Sequence, residues 1–332
     1  MQLQTTGYKQ RKVLIKIITR ALLLILPVYA MWWAYTEYFP LNYNSPTPMR
    51  WHFIKTTLDE KNIRPKISKL FLGESRLNAA VNFNKIPNSY SFASGGSTPI
   101  ELFHIWKKYI RNFPVPDTVF LSVSPRFYTQ TFAFWPYAVR SGLIDRENMT
   151  GIISEYHKQP KDTVLGTLPA IKFAAYQLHW FGYYQQDIKK NYLFRAKQKN
   201  RNMIQDMKAR RGGRFHPGLK DSCSALNFET NLKTFKPAPL LDSYFIKLLK
   251  SLKRNNCETI FLFLPMNKSS FQRLHPQFVN DYERYMQTVQ NRFPKFTIAH
   301  KIYAYPDSLF GDASHLNSKG RIIYTDSLRV KF

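Results

Sequence analysis

The segment Ile67-Ser-Lys-Leu-Phe-Leu-Gly-Glu-Ser-Arg76 gives the clearest indication of the fold class. Its apolar run from Ile67 to Leu72 has the length of a short buried β-strand, and a glycine follows directly. A second apolar run, Tyr90 to Ala93, leads in the same way into Ser94-Gly95-Gly96. The two runs are therefore predicted to be strands that end in glycine-containing turns.

Helical and strand patterns alternate on either side of a different middle region. Pro99 to Asn112 has apolar residues at helical spacing behind a proline, and Val119 to Val123 is predicted to be a third strand. Alternation returns later, with helices at Leu240 to Lys253 and Phe278 to Phe293, strands at Thr259 to Leu264 and Phe296 to His300, and a loop and closing helix over Tyr303 to Phe332. Such alternation predicts an α/β domain with a parallel sheet.

The middle region, from about Tyr128 to Pro237, is rich in aromatic and basic residues and has few clear strand patterns. It is predicted to be a mostly helical insertion. Its most basic part, Lys189 to Arg214, suits either a solvated face or a patch that binds anionic lipid or polymer.

The N-terminal sequence predicts one membrane-spanning helix. Val13 to Thr36 is apolar except for Lys16 and Arg20, and as a helix it would extend about 36 Å, enough to cross a hydrocarbon core of about 30 Å. Basic residues concentrate at its start and aromatic residues at its end, so the rest of the chain is predicted to lie outside the cytoplasm. A cleaved signal peptide ending at Val28-Tyr29-Ala30 is the alternative, whereas a core helix would leave the cations hard to accommodate.

These patterns predict a division of the chain into six parts. The segment Asn42 to Pro48 is polar and contains prolines, so it is expected to form a linker, with the globular part starting near Lys66. The predicted parts are a cytoplasmic tail (1–12), a transmembrane anchor (13–39), a juxtamembrane linker (40–65), the first part of the α/β domain (66–128), the insertion (129–237) and the second part of the α/β domain (238–332).

The chain is strongly basic, with 49 Lys and Arg against 21 Asp and Glu and a formal net charge of +28. This excess predicts an anionic neighbour such as nucleic acid, a membrane surface or an acidic polymer, and the predicted export argues against nucleic acid. No cofactor or metal site is predicted, because no Cys/His cluster has zinc-ligand spacing. The cysteines Cys223 and Cys257 are too few for a disulfide framework, although an exported chain could join them.

Candidate catalytic residues follow from the position of the strand ends. In parallel sheets the active crevice lies beyond the carboxyl ends of the strands, which makes Ser75 a candidate nucleophile or, alternatively, a helix N-cap. Asp312 and His315, three residues apart in a turn, could pair so that the imidazole acts as a base. The alternative is a surface loop in which Asp312 or Ser314 caps a helix.

These blocks resemble the SGNH or GDSL-type hydrolases, which place a Gly-Asp-Ser-like turn after the first strand and Asp-x-x-His near the C-terminus. The resemblance implies a flavodoxin-like three-layer fold with a parallel sheet. It also implies that Ser75 is the nucleophile, His315 the base and Asp312 its partner. Gly95 or Gly96 would provide the oxyanion-hole glycine of the family's second block.

The third block departs from the family, which has Gly-x-Asn-Asp there. Leu121-Ser122-Val123-Ser124-Pro125-Arg126 contains no asparagine, so Ser124 or Arg126 would have to replace that oxyanion donor. Arg76 and Arg126 are also candidates for substrate binding. The layout is similar to the membrane-anchored branch that includes the D-alanyl-lipoteichoic acid transfer protein DltD and acetylation proteins of exported polysaccharides.

The resemblance implies a serine esterase or O-acyltransferase that acts on a hydroxyl group of the cell envelope. Its expected partners are the lipid bilayer, an anionic envelope polymer or acylated glycan, and a membrane-bound O-acyltransferase. The alternative, favoured by the altered third block, is a non-catalytic envelope assembly or binding protein that keeps the fold.

Overall fold

The protein is a mixed α/β structure with a parallel sheet. A computed structural model describes residues 2–60, 67–159, 162–191, 195–214 and 220–329, with side chains from residue 11 onwards. Its helices are α1 (Gln2–Tyr38), α2 (Pro40–Tyr43), α3 (Pro46–Asp59), α4 (Ser75–Ala80), α5 (Pro99–Asn112), α6 (Arg146–His157), α7 (Pro169–Gln177), α8 (Gln185–Asn191), α9 (Lys197–Ala209), α10 (Pro239–Arg254), α11 (Lys268–Phe271), α12 (Pro276–Arg292) and α13 (Ser318–Arg329). Its strands are β1 (Lys69–Gly73), β2 (Ser89–Ser91), β3 (Thr118–Ser122), β4 (Glu258–Phe261), β5 (Met266–Asn267), β6 (Thr297–Ile298) and β7 (Ala304–Tyr305).

The main sheet has five strands in the order β2-β1-β3-β4-β6, and every neighbouring pair is parallel. This confirms the predicted α/β class and parallel sheet. β4 ends at Phe261 rather than at Leu264 as predicted. The chain beyond it leaves the sheet and pairs Met266 with Ala304 in a two-stranded sheet of β5 and β7, which was not predicted.

Both faces of the sheet are packed, because successive side chains of a strand point to opposite sides. In β1, Leu70 and Leu72 belong to a large cluster that also includes residues of α3, α5, α10 and α12. Phe71 belongs to a second cluster, with residues of α4 and α13. Its ring stacks on Phe120 of β3 at a centroid distance of 4.5 Å. Because β1, β2 and β3 are parallel, the loops that follow them lie at the same end of the sheet, beyond the carboxyl ends of the strands.

The segment predicted to be a juxtamembrane linker is largely helical, and that prediction is corrected here. Pro40 and Pro46 occupy the first turns of α2 and α3. Proline is tolerated there because the N–H groups of the first turn have no acceptor within the helix, so the missing N–H of proline costs no hydrogen bond. Trp51, Ile54 and Leu58 of α3 are fully buried in the main cluster. Residues 61–66, including the predicted domain start at Lys66, lie outside the described residues.

The middle region, predicted to be an insertion, packs on these N-terminal helices. Its described residues contain helices and turns but no strand. α9, from the most basic part, contacts α2 and α3, and its Met207 is buried in the main cluster. Part of the basic segment therefore packs into the body, the folded part of the chain that follows α1.

The predicted N-terminal helix is present as α1. Within it, Arg11–Tyr38 contains an 18-residue window with a mean hydropathy of 2.1, so it is long and apolar enough to cross a membrane. No residue of that window is buried by the rest of the chain, whereas Thr36, near the end of α1, is buried. Both cysteines are free thiols, Cys257 buried and Cys223 partly exposed.

Candidate active site

The loop between β1 and α4 positions Ser75. A side-chain atom on Gly73 would lie 2.7 Å from the carbonyl oxygen of Ser122, so only glycine allows this approach of β1 to β3. The N-cap of α4 is Glu74, whose carboxylate accepts the Arg76 N–H at 2.8 Å. Ser75 is the first residue of the helix, so the alternative in which it only caps α4 does not apply.

Ser75, His315 and Asp312 form a connected hydrogen-bonded row. His315 Nε2 lies 2.8 Å from Ser75 Oγ, and His315 Nδ1 lies 2.8 Å from Asp312 Oδ2. Asp312 also accepts the backbone N–H groups of Ser314 and His315, each at 2.8 Å. The structure thus brings together three residues that are up to 240 positions apart in the chain.

The charge of Asp312 fixes the role of the imidazole. Burial raises the pKa of Asp312, but the hydrogen bond and charge of His315 and the two backbone N–H groups outweigh it and lower the pKa to about 2. An ionised carboxylate accepts only, so neutral His315 must carry its proton on Nδ1. Its Nε2 lone pair then faces the Ser75 hydroxyl, which is the arrangement of a general base.

The structure separates the roles of the two glycines after β2. A side-chain atom on Gly95 would lie 3.8 Å from Ser75 Cβ, so Gly95 is next to the serine. Gly96 has φ +78°, and a side-chain atom there would lie 2.9 Å from Ala133 Cβ. Gly96 therefore shapes the turn, while the Gly95 backbone lies beside Ser75.

Ser124 has a different partner from the one predicted. Its hydroxyl donates to Glu74 Oε1 at 2.8 Å, and the other carboxylate oxygen, Oε2, accepts from Arg76 N and lies 3.3 Å from Ser75 Oγ. Ser124 therefore helps to hold Glu74, and its only hydroxyl proton is already used.

The two candidate substrate-binding arginines have different environments. Arg76 is buried and donates to both oxygens of Glu229, at 2.8 and 2.9 Å. Burial lowers the pKa of Arg76, but Glu229, together with the charges of Glu74 and Asp312, outweighs it and raises that pKa above its ordinary value. The charge of Arg76 is thus paired with Glu229 inside the fold. Arg76 does not line the pocket beside Ser75, whereas Arg126 does.

That pocket has a volume of about 290 Å³. Sequence reasoning missed several of its polar residues, among them Arg50, Asn78 and Arg214. Asn78 follows Ser75 at helical spacing i, i+3, a signal that could have identified it. Arg50 lies in the segment taken for a linker, and no sequence signal relates it to Ser75. Among the described residues, no group of three or more His, Cys, Asp or Glu could hold a metal.

No protein-family model matches the chain, and no curated protein matches it significantly. The fold and the site together define an α/β protein with a parallel sheet. Next to a pocket at the carboxyl ends of its strands, a serine, a histidine and an aspartate form a hydrogen-bonded chain.

Proposed function

We propose that the protein is a membrane-anchored, extracytoplasmic acyl esterase or O-acyltransferase of SGNH type. The observation that supports this best is the row Ser75–His315–Asp312, with both hydrogen bonds at 2.8 Å, at the wall of a pocket. A serine paired with an oriented imidazole is the arrangement that activates a hydroxyl for attack on an ester.

The proposed reaction proceeds through an acyl-enzyme. Ser75 Oγ attacks the acyl carbonyl carbon while its proton passes to His315 Nε2, and the departing alcohol takes that proton as the ester bond breaks. Water or a sugar hydroxyl then attacks the acyl-serine, again losing its proton to His315, and the proton returns to Ser75 when the acyl group leaves. The backbone N–H groups of Ser75 and of Gly95 or Gly96 are the proposed donors to the oxyanion.

The membrane topology is also part of the proposal. α1 has Arg11, Lys12, Lys16 and Arg20 near its start, and Trp32, Trp33, Tyr35 and Tyr38 near its end. Basic residues favour the cytoplasmic side, and aromatic residues favour the membrane interface. The body after α1 is thus proposed to face the envelope.

The proposed substrate is an acylated glycan or other hydroxyl-bearing polymer of the cell envelope. The net charge of +28 supports an anionic polymer and an anionic membrane surface as neighbours. A membrane-bound O-acyltransferase is a proposed partner, since it could supply the acyl group in the same membrane.

A second candidate is a non-catalytic envelope assembly or binding protein. The observation that favours it is the third strand end, where the asparagine of the family is missing and the Ser124 hydroxyl is bonded to Glu74. Loss of one oxyanion donor typically lowers turnover about 100 to 1000-fold.

Labelling of the purified full-length protein in detergent with a neutral fluorophosphonate separates the two candidates. The expected result is labelling of wild type, none of Ser75→Ala, and labelling slowed about 100-fold or more in His315→Ala and Asp312→Asn, because these remove or misorient the base. Ser314→Ala, in the same loop, is the matched control and should label like wild type. A folded wild type that does not react, or a Ser75→Ala variant that still does, would contradict the esterase proposal.

A further inference from the structure

The pocket beside Ser75 has an unusual charge balance. Arg50, Arg126 and Arg214 line it together with Ser75 and His315, and no Asp or Glu is among its described lining residues. Elsewhere in the body, the buried Arg76 pairs with Glu229, and Arg140 pairs with Asp187 at 2.5 Å. Among the described residues, the pocket arginines have no carboxylate partner of the kind found at those sites.

Arg126 is held by aromatic rings rather than by an acid. Its guanidinium carbon lies 4.1 Å from the ring centroid of Phe228 and 5.6 Å from that of Phe132. Its Nε is buried and has no hydrogen-bond partner among the described residues. Stacking on rings fixes the plane of a guanidinium and leaves its N–H edge available to an acceptor.

Arg50 is almost fully buried, and its hydrogen bonds are to neutral acceptors. It donates to the carbonyl oxygen of Ala93 at 2.7 and 3.0 Å and to that of Ser91 at 3.2 Å. Burial, with a contribution from the nearby Arg214, lowers the pKa of Arg50 to about 9. Burial also lowers the pKa of Arg214, whose one described hydrogen bond goes to the Pro46 carbonyl at 3.5 Å.

Cations without an acid partner are costly to bury, and an anion that enters the pocket offsets that cost. We propose that this pocket binds an oxyanion, a carboxylate or a phosphate, carried by the substrate next to the ester that Ser75 attacks. The inference rests on the proposed function for the ester and on the arginines for the anion. Arginine suits this task because its planar fork matches carboxylate and phosphate oxygens.

The test is protection of Ser75 from the neutral fluorophosphonate by glucuronate, inorganic phosphate or glucose, at constant ionic strength set with sodium chloride. We expect glucuronate, phosphate or both to slow labelling in a saturable manner, and glucose at the same concentration to have no effect. The anion that protects identifies the substrate group as carboxylate or phosphate. Arg126→Gln should raise the half-protective concentration at least tenfold, whereas Arg254→Gln, on the exposed end of α10, should not change it.

Labelling that proceeds at the same rate with and without both anions would overturn the anion site while leaving the esterase proposal intact. If a folded wild type does not label at all, the esterase proposal fails, and anion binding is then measured by thermal melting. A rise in melting temperature with phosphate or glucuronate, absent in Arg126→Gln, would support the site, and no rise would overturn it.

A second inference concerns an apolar surface formed by α7 and the turn after it, and it does not depend on catalysis. Five large apolar side chains are exposed there, each more than half accessible: Leu168, Ile171, Leu178, Trp180 and Phe181. Within residues 168–181 the only Lys, Arg, Asp or Glu is Lys172. Exposed apolar patches of this kind mark contact sites.

This apolar surface is attached to the side of α1. Trp32 Nε1 donates to the His179 carbonyl at 2.8 Å, and the Trp32 ring lies 5.1 Å from that of Phe181. Thr36 Oγ1 lies 2.7 Å from His179 Nδ1. Trp32 precedes the last residue of α1, Tyr38, by six positions, which is about 9 Å along a helix. His179 Nε2 also lies 3.2 Å from the Glu37 carboxylate, so the apolar surface is level with the last two turns of α1, where the proposed interfacial aromatic residues lie.

We infer that this apolar surface lies in the membrane leaflet on the side of the body, in contact with lipid acyl chains. The test uses full-length protein in phosphatidylcholine nanodiscs with or without bromine on the upper acyl chain, which quenches tryptophan fluorescence on contact. Trp180→Phe should remove part of the quenched signal, whereas Trp51→Phe, at a buried site, should remove only unquenched signal. A quenched signal of the same size in Trp180→Phe and wild type would show that residue 180 is outside the lipid and overturn the inference.

Discussion

Gly95 and Gly96 are neighbours in the chain, yet the structure predicts different consequences of adding a methyl group to each. Alanine at position 96 would adopt φ +78° and meet Ala133 at 2.9 Å. A left-handed conformation costs roughly 1–2 kcal/mol in an L-residue, so Gly96→Ala should lower the melting temperature. Alanine at position 95 meets Ser75 Cβ at 3.8 Å, an ordinary contact, so the fold should remain stable.

The effect on the rate of Ser75 labelling should be the reverse, with the greater loss at position 95. In the proposed mechanism the acyl oxygen approaches the backbone at residue 95, where a methyl group would obstruct it, so Gly95→Ala should slow fluorophosphonate labelling without lowering the melting temperature. Thermal melts and labelling rates of the two variants, measured side by side, check this. A destabilised Gly95→Ala, or a Gly96→Ala that melts like wild type, would contradict the roles assigned to the two glycines.

At the residue scale, the sequence predicted the candidates whose partners are encoded locally. Asp312 and His315 are three apart, so their contact depends on one turn, and Ser75 follows a strand directly. Arg50 and Arg214 could not be predicted, because their approach to Ser75 depends on how α3 and the insertion pack. Ser124 was found, but its bond to Glu74 was not, since the direction of a hydroxyl depends on tertiary contacts.

At the scale of elements, α5 follows the turn that contains Gly95 and Gly96, and its first turn contains a buried acid, Glu101. Its N-terminus has a capping box in which Glu101 accepts the Thr98 N–H at 2.8 Å. Glu101 is fully buried, and one of its carboxylate oxygens has no partner among the described residues. Burial raises the pKa of Glu101, hydrogen bonds from Thr98 lower it in part, and the net value is about 7, against an ordinary 4.5.

This shift predicts a pH dependence of stability. Between about pH 4.5 and 7 the folded chain keeps the Glu101 proton while the unfolded chain has lost it. The free energy of unfolding should therefore fall as pH rises through this window, by at most about 3 kcal/mol. Glu101→Gln keeps a capping side chain but does not titrate, so its melting temperature should fall less than that of wild type between pH 5 and 7.5. Equal changes in both proteins would contradict the prediction.

Element prediction succeeded where local signals coincide and failed where they conflict. α5 was predicted with its observed bounds, because a proline follows its cap and the apolar residues keep helical spacing. α3 was missed because its prolines suggested a linker, although its buried residues pack against α5 and α9. β5 and β7 have two residues each, too few for any periodic pattern, and they pair only through tertiary structure.

At the scale of the whole molecule, the arrangement of α1 and the body predicts how the thiols react in cells. The chain has two cysteines, both free, and neither lies in α1. Cys257 is only 5% exposed, whereas Cys223 is partly accessible, so a hydrophilic maleimide should reach Cys223 alone in the folded protein. Whether the maleimide reaches Cys223 in intact cells depends on the side of the membrane on which the body lies.

If the body faces the envelope, a membrane-impermeant maleimide should label Cys223 in cells with an intact cytoplasmic membrane. Cys223→Ser should abolish the labelling, and Cys257 should react only after denaturation. Labelling that appears only after lysis would place the body in the cytoplasm and contradict the proposed topology. A thiol that reacts only after denaturation and reduction would instead show that Cys223 is oxidised in the cell, which again places it outside the reducing cytoplasm.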